Sequence, residues 1–273
     1  MLTRADRAFI PREALGILTA RTLADSHPAL LALLRPGQDV LDVGCGPGTL
    51  TIETARRVLP GRVVGLDVNP EMLAAAREAS PPGALPNLTF LEGDIRDGGW
   101  ESEFDLVSAA RVLQWISQPD RALAPMIAAA RPGGLVVALD YDHTRARWTR
   151  PPASWTRFYA AFLDWRAAGQ LDNALAARLP QAFEAAGLAD VRVVPRVTAV
   201  RAGEAGFFRA AGLWRLTIDS RGRQMVAAGH LDEAERGAAL ADYTAWMQTA
   251  KAALTVHEAC VAGRRVPAGR SRR

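Results

Sequence analysis

The stretch Asp39-Val-Leu-Asp-Val-Gly-Cys-Gly-Pro-Gly-Thr-Leu50 combines a short apolar strand, a glycine-rich turn and the start of a helix. The strand ends at Val43, and glycines follow at positions 44, 46 and 48. Glycine tolerates positive φ and lets the backbone approach a ligand without an intervening Cβ. The N–H groups at the start of the following helix suit an anionic or polar ligand. The segment therefore predicts a ligand-binding turn between a strand and a helix.

The residues after this turn alternate between short apolar strands and helical stretches. The strand candidates are Val40–Val43, Val63–Leu66, Leu88–Leu91, Leu106–Ala109 and Leu135–Leu139. The helix candidates between them are Leu50–Val58, Pro70–Ala79 and Arg121–Ala130. Nearly continuous apolar strands separated by helices are typical of a parallel sheet covered on both faces. We therefore predict a doubly wound, mostly parallel α/β domain over residues 36–143.

The flanking regions favour helices. Residues 12–34 carry leucines at helical spacing and predict one or two N-terminal helices. Beyond residue 143 we expect two helical cap insertions, 144–180 and 203–250, with helices over 151–169 and 180–187 and strands over Val191–Val200 and Thr255–Val261. The whole of 1–263 is expected to form a single domain, followed by a basic flexible tail, 264–273.

Composition excludes several classes of protein. There is no run of about eighteen apolar residues, which argues against a membrane span, and no apolar block of signal-peptide type follows the N-terminus, so we expect a cytoplasmic protein. The two cysteines, Cys45 and Cys260, lack metal-ligand spacing, and no metal is expected. The net charge is +4, but five arginines lie in the last ten residues, and the remainder carries −1. A near-neutral body does not suggest a nucleic-acid partner.

The spacing of the glycines distinguishes two kinds of nucleotide site. A dinucleotide-binding turn has the pattern G-x-G-x-x-G, but the sixth position counted from Gly44 is Thr49. Two acids stand where a different cofactor needs them. Asp67 ends the second predicted strand, where a carboxylate can accept both hydroxyls of a ribose, and Asp94 follows the third, placed to accept from an adenine amino group while Ile95 covers the ring.

With the tight turn Arg131-Pro-Gly-Gly134 before the fifth strand, these motifs resemble the class I S-adenosylmethionine (SAM)-dependent methyltransferase family, in the branch that modifies small molecules. The resemblance covers residues 36–143 well and the rest loosely. It implies that SAM is the cofactor. It also implies a set of cofactor-binding residues: Asp42, Gly44, Gly46, Gly48, Asp67, Val68, Met72, Asp94, Ile95 and Arg111. Within that set, Met72 would pack against the adenine, and Arg111 would lie near the methionine half.

Candidate catalytic residues follow the fifth strand. His143 is a candidate general base near neutral pH, with Tyr141 beside it, at the sheet edge where open α/β folds bind ligands. The alternative is that His143 is only a polar residue at a strand end. Five of the seven tryptophans lie beyond residue 143, and they suggest either an apolar roof over the pocket or an ordinary helix-packing core.

The motifs that are missing narrow the acceptor. The stretch from Ser108 to Trp115 lacks the Asn/Asp-Pro-Pro-aromatic motif of enzymes that methylate base amines. A small-molecule acceptor is therefore expected, with the protein a monomer or homodimer. Three alternatives stay open: a nucleic-acid-modifying protein that uses the arginine tail, an NAD-dependent oxidoreductase, and a SAM-binding protein that transfers no methyl group.

Overall fold

The computed structural model describes residues 15–267. In this range the strands are β1 (Val40–Val43), β2 (Val63–Asp67), β3 (Leu88–Glu92), β4 (Phe104–Ala110), β5 (Ala130–Trp148), β6 (Ala189–Arg201) and β7 (Ala253–Arg264). The helices are α1 (Leu15–Thr19), α2 (Leu23–Ser26), α3 (Pro28–Leu33), α4 (Thr49–Val58), α5 (Pro70–Ala79), α6 (Asp120–Ala129), α7 (Ala153–Ala168), α8 (Leu175–Ala185), α9 (Phe207–Ala227) and α10 (Glu233–Met247). Two 3₁₀ turns cover Ile95–Asp97 and Leu113–Trp115.

The strands form one sheet in the order β3-β2-β1-β4-β5-β7-β6. The five strands from β3 to β5 are parallel, and β7 is antiparallel to both of its neighbours. The chain order reverses between β1 and β4, which is the point where open sheets bind ligands at their carboxyl edge. The predicted doubly wound, mostly parallel α/β fold is confirmed.

Helices cover both faces of the sheet because successive strand residues point to opposite sides. In β4, Leu106 packs with Leu30 and Val58 on one face. Its neighbour Val107 packs on the other face, in a cluster that includes Met126 of α6 and Phe183 of α8. A strand apolar on both faces is thus buried on both, as its continuous apolar sequence predicted.

The fifth strand is longer than predicted. The expected strand Leu135–Leu139 extends in both directions to Ala130 and Trp148, and residues 144–148, predicted to begin a helical insertion, are strand. The added length comes from pairing with β7, which reaches Trp148 opposite Leu254. The pairing is irregular between Asp142 and Arg147, so His143 lies in a bulged part of the strand rather than after its end.

The later helices divide into two layers. Helices α7, α9 and α10 pack on one another around an aromatic core, whereas α8 joins the cluster on the sheet. Helix α8 begins at Leu175, five residues before the predicted start at Pro180, because apolar Leu175 and Leu179 pack against the sheet. No helix of residues 15–267 is long and apolar enough to cross a bilayer.

Both ends of the chain differ from expectation. The N-terminal region, from Leu15 onward, forms three short helices; residues 12–14 lie outside the described residues. At the other end, Arg264 is the last residue of β7, and Arg265 donates to backbone carbonyls at the end of α6, so these two arginines are not part of a tail. Of the tail residues after Arg265, those from 268 to 273 lie outside the described range.

We expect Gly48→Ala to lower the free energy of unfolding by about 3 kcal/mol, from strain at positive φ plus overpacking. Gly48 has φ of 74°, and an added Cβ would lie 2.7 Å from Phe90 Cζ and 2.9 Å from Ala76 Cβ. Gly83→Ala is the control, because Gly83 has φ of 87° but no atom of the described residues lies within 4 Å of an added Cβ. Its expected loss is about 1 kcal/mol. Equal losses in urea titrations would show that packing at Gly48 is not tight.

We expect acid destabilisation through His27. This side chain is 1% exposed, and its Nδ1 accepts from the Leu30 N–H at 3.2 Å at the start of α3. Burial, with Arg111 and Arg196 nearby, lowers the pKa of His27 to about 3. Since the unfolded imidazole titrates near 6.5, the unfolded state takes up the proton first as the pH falls. Between pH 7 and pH 5 this residue alone should cost about 2 kcal/mol of unfolding free energy.

The variant His27→Asn keeps an acceptor at the helix N-terminus but does not titrate. Urea unfolding at several pH values should therefore show a smaller loss of stability on acidification in the variant than in the parent. The same slope in both proteins would contradict the lowered pKa of His27.

Candidate active site

A cavity of about 570 Å³ opens at the carboxyl edge of the sheet. Its walls come from the glycine turn after β1, the ends of β2, β4 and β5, the N-terminal segment around Arg21, and one face of α9. The volume is in the range of small-molecule sites. Parallel strands direct their carboxyl ends to this one edge, so residues far apart in sequence meet there.

The three glycines of the turn have different surroundings. Gly44 has φ of 67°, and a Cβ there would overlap the side chain of Val112. Gly46 has φ of 55°, and no atom of residues 15–267 lies within 4 Å of its Cβ position, so its backbone borders open space in the cavity wall. Gly48 does not line the cavity and instead packs against Phe90. The turn therefore offers Gly44 and Gly46 to a ligand, while Gly48 shapes the turn.

Asp42 fixes the end of β1, from which the glycine turn begins. Its two carboxylate oxygens accept from the Thr51 hydroxyl at 2.6 Å and the Ser108 hydroxyl at 2.9 Å. Burial raises the pKa of this carboxyl above its usual value, although both hydroxyls lower it. The residue lines the cavity, but these two bonds tie β1 to α4 and β4, a structural role that the sequence motif did not reveal.

Asp67 joins the end of β2 to the glycine turn. One carboxylate oxygen accepts from the Gly46 N–H at 2.7 Å, and the other accepts from the Asn69 N–H at 2.9 Å. Burial raises the pKa of Asp67, and these backbone donors lower it. A carboxylate has about four acceptor sites, so two backbone bonds leave capacity for ligand hydroxyls at the cavity wall.

Apolar side chains and one ion pair line the same end of the cavity. Met72 and Ile95 are 1% and 2% exposed, and Val68 lies beside them in the wall. Asp94 is paired with Arg96, whose Nε lies 2.9 Å from one carboxylate oxygen and 3.0 Å from the other. This pairing was not predicted, and it orients the Asp94 carboxylate that the motif assigns to adenine.

Arg111 lies at the centre of a buried charge cluster. It has φ of 62°, which is uncommon for a residue other than glycine. Its Nε donates to Glu258 at 2.7 Å and to the Tyr141 hydroxyl at 3.2 Å. Although burial lowers the pKa of Arg111, Tyr141 and Glu258 raise it above the usual value. The guanidinium is therefore charged at the cavity wall.

Two more arginines belong to this cluster, and the sequence analysis missed both. Arg196 of β6 lies 3.5 Å from Glu258, and Arg21 interacts electrostatically with the same glutamate. Burial and Arg111 lower the pKa of Arg21 to about 10, so it too is charged near neutral pH. Three arginines around one glutamate leave a surplus of positive charge. No local sequence signal marks these residues, because they come from separate elements.

His143 and Gln114 form a buried pair in the wall. The Gln114 amide nitrogen donates to the Arg111 carbonyl at 3.3 Å, so its oxygen faces His143 Nε2 at 2.8 Å. An amide oxygen only accepts, and the imidazole therefore carries its proton on Nε2. Burial, with Arg166 nearby, lowers the pKa of His143 well below 6.5, so the ring is neutral at physiological pH and Nδ1 is its basic atom.

Most of the late aromatic residues form a packed core, and a few line the cavity. Phe162 and Trp214 contact His143, with ring centroids at 5.6 and 5.9 Å, and both line the cavity together with Trp115. Trp155, Trp165 and Trp246 lie in the core of the cap. Phe162 and Trp214 belong to this core as well, so the same two rings are packed in the cap and line the cavity.

Asp140 does not line the cavity, unlike its neighbour Tyr141. Its side chain is completely buried, and burial raises its pKa to about 8 although Arg111 and Arg166 lower it. Within residues 15–267, no group of three or more His, Cys, Asp or Glu side chains is placed to hold a metal ion.

Comparisons with known proteins identify the core of the chain. The family model described as a methyltransferase domain matches residues 40–134. Trans-aconitate 2-methyltransferase from Deinococcus radiodurans is 39% identical over 131 residues, covering 45% of this chain and 48% of that protein. The chain spans about half the length of the curated relatives that it matches first.

Solved structures show the same fold over nearly the whole chain. Phosphoethanolamine N-methyltransferase 2 from Haemonchus contortus, in complex with phosphomonomethylethanolamine and S-adenosylhomocysteine, superimposes with a TM-score of 0.60 at 17% identity, covering 97% of this chain and 61% of that one. The [4+2]-cyclase SpnF has a TM-score of 0.53 at 21% identity, covering 89% and 81% of the two chains. These matches show that residues 40–134 match a methyltransferase domain, and that the chain has the fold of the solved structures, one of which is a methyltransferase with bound S-adenosylhomocysteine.

Proposed function

We propose that this protein binds SAM in the cavity and transfers the methyl group to a small molecule held beneath α9. The observation that carries the proposal is the continuity of the cavity. One space joins the glycine turn and Asp67 to the aromatic wall around His143. A donor site and an acceptor site in one enclosed volume are what direct transfer between two bound molecules needs.

The residues at the glycine end fit the nucleoside of SAM. Gly46 leaves room for close approach, and Asp67 keeps acceptor capacity for the two ribose hydroxyls. Met72 and Ile95 supply apolar surface for the adenine ring, next to Val68, and Asp94 is placed for the amino group. Gly44 and Asp42 complete the wall, whereas Gly48 acts through the packing of the turn.

The arginine cluster fits the methionine half. Arg111, Arg21 and Arg196 have only Glu258 as a shared carboxylate in the charge interactions that the structure shows among residues 15–267. An α-carboxylate bound here would be stabilised by charge-assisted hydrogen bonds. The assignment extends the predicted role of Arg111 to two arginines from other elements.

The residues at the other end fit an acceptor. When bound, SAM supplies an electrophilic methyl group on a sulfonium sulfur. The protein's own contribution is to orient the acceptor, to exclude water with Phe162 and Trp214, and to accept a proton where the acceptor must lose one. His143 Nδ1 is the candidate base, and the Tyr141 hydroxyl, which accepts from Arg111, is a candidate positioning group.

The comparisons show neither which acceptor this protein uses nor that it turns over. The trans-aconitate methyltransferase matches less than half of this chain, and the cyclase SpnF has the same fold. Calorimetry with SAM and NAD separates the methyltransferase from an oxidoreductase. Incubation with labelled SAM and a metabolite extract, followed by mass spectrometry, then tests transfer. Binding of SAM without any labelled product would favour the non-transferring alternative. A cytoplasmic location, a monomeric or homodimeric state and the absence of a nucleic-acid partner stay predictions from the sequence.

We expect Asp67→Ala to weaken SAM binding roughly 10- to 100-fold, because hydrogen bonds to a charged acceptor are lost. Calorimetry measures the affinity, and circular dichroism checks that the fold is intact. Glu92→Ala is the matched control, since Glu92 ends the adjacent strand β3 and does not line the cavity. Unchanged affinity in Asp67→Ala would refute the ribose assignment.

We expect His143→Ala to lower kcat about 100-fold while SAM affinity stays within about twofold, as for the loss of a general base. The depressed pKa of His143 also predicts no loss of activity near pH 6.5 on the acid side, because the ring stays neutral there. His257→Ala, at a histidine away from the cavity, is the control. If the His143→Ala protein turned over as fast as the parent, His143 would have no part in the mechanism.

A further inference from the structure

The proposed reaction leaves one buried charged residue of the cavity without a role. Arg221, in the last two turns of α9, is 4% exposed and lines the cavity. Its guanidinium carbon lies 4.4 Å from the ring centroid of Trp115. Its side-chain hydrogen bond to Gln224 is long, at 3.5 Å.

No anionic side chain of residues 15–267 forms an ion pair with Arg221. The charged neighbour that affects it is another cation, Arg166, which lies on the same indole at 5.0 Å. Burial, together with Arg166, lowers the pKa of Arg221 to about 9, so it is still charged near neutral pH. A buried cation without a counter-charge is strongly destabilising. An anionic ligand from outside the chain would stabilise such a residue.

Arg221 lies close to the proposed reacting groups. Trp115, on which it stacks, follows Gln114, and Gln114 holds the His143 ring at 2.8 Å. Trp214, one of the rings against His143, precedes Arg221 by two helical turns, so both point from the same face of α9 into the cavity. The donor's carboxylate is already assigned to Arg111 and its neighbours. Arg221 is therefore available to the acceptor.

We propose that Arg221 is an anion subsite of the acceptor pocket, and that the methyl acceptor is a small molecule with an apolar body and a carboxylate. This inference rests on the function proposed above. The planar guanidinium matches a carboxylate in a bidentate geometry, and the aromatic walls match the apolar body. The carboxylate supplies the counter-charge that residues 15–267 do not provide.

The first test measures binding without turnover. The thermal unfolding of protein saturated with S-adenosylhomocysteine is measured in the presence of acetate, benzoate or cinnamate. It is measured again in the presence of the primary amide of each acid. We expect at least one carboxylate to raise Tm by about 2 °C or more, and its amide not to do so. The same carboxylate should lose this effect in Arg221→Met.

The second test uses the stability and donor affinity of the variant. Arg221→Met removes the charge but keeps an unbranched side chain, so Tm of the ligand-free protein should stay the same or rise. A merely structural arginine would lower it. Affinity for S-adenosylhomocysteine should stay within twofold, whereas a tenfold loss would place Arg221 at the donor's carboxylate instead. Arg223→Gln, at an exposed arginine of the same helix, is the matched control.

The outcomes separate this inference from the proposed function. If S-adenosylhomocysteine does not bind, the proposed function fails, and this inference fails with it. If it binds but no carboxylate stabilises the parent more than Arg221→Met, the anion subsite is refuted while the donor site stands. A metabolite extract is separated by anion exchange, and each fraction is incubated with labelled SAM. Methyl transfer to the retained fraction that is about tenfold lower with Arg221→Met than with the parent would support the subsite. Transfer confined to the unretained fraction would overturn it.

Discussion

The hydrogen bond from the Gly46 N–H to the Asp67 carboxylate joins the two strands on which the candidate site depends. It holds the glycine turn after β1 against the end of β2, at the edge where the parallel strands converge. Asp42 supports the same turn from below through Thr51 and Ser108. Asp42 is buried and Asp67 is half-buried; desolvation raises the pKa of each carboxyl, and the donors around it oppose that shift. The turn is thus positioned by internal hydrogen bonds before any ligand arrives, which reduces the ordering that binding must impose.

Charge is distributed unevenly along the cavity. Carboxylates lie near the glycine turn, and arginines dominate the remainder. Arg111 and Arg196 share Glu258, and among residues 15–267 no carboxylate forms an ion pair with Arg221. Burying a cation without a partner costs stability, and folds tolerate this cost mainly at functional sites. The apolar cap supplies the compensation, because α7, α9 and α10 bury a large aromatic cluster around the same region. The packed aromatic residues of the cap therefore stabilise the protein next to the buried charges of the cavity, which destabilise it.

Helix α9 connects these two properties. One of its faces lines the cavity from Gly206 to Arg221, while Phe207, Ile218 and Met225 are packed into the cap core. Of the rings near His143, Phe162 comes from α7 and Trp214 from α9, whereas Tyr141 comes from β5 of the sheet. A change in the cap would accordingly alter the acceptor end of the cavity first, and leave the glycine end, which is built on β1 and β2, largely as it is.

The sequence by itself determined the sheet core, the glycine turn and the strand-end acids, since apolar periodicity and glycine spacing are local signals. Asp67 accepts from the Gly46 N–H, and Met72, Ile95 and His143 line the same cavity; the roles assigned to these residues stay predictions. Only the tertiary structure decided the rest. The length of β5 follows from its pairing with β7, a contact between residues more than a hundred positions apart. Distances between elements, together with burial, decide the Arg111 cluster, the Asp94–Arg96 pair and the proton position on His143. They also decide that Arg221 has no carboxylate partner among the residues that the structure describes. Neither quantity is encoded in any short stretch of residues.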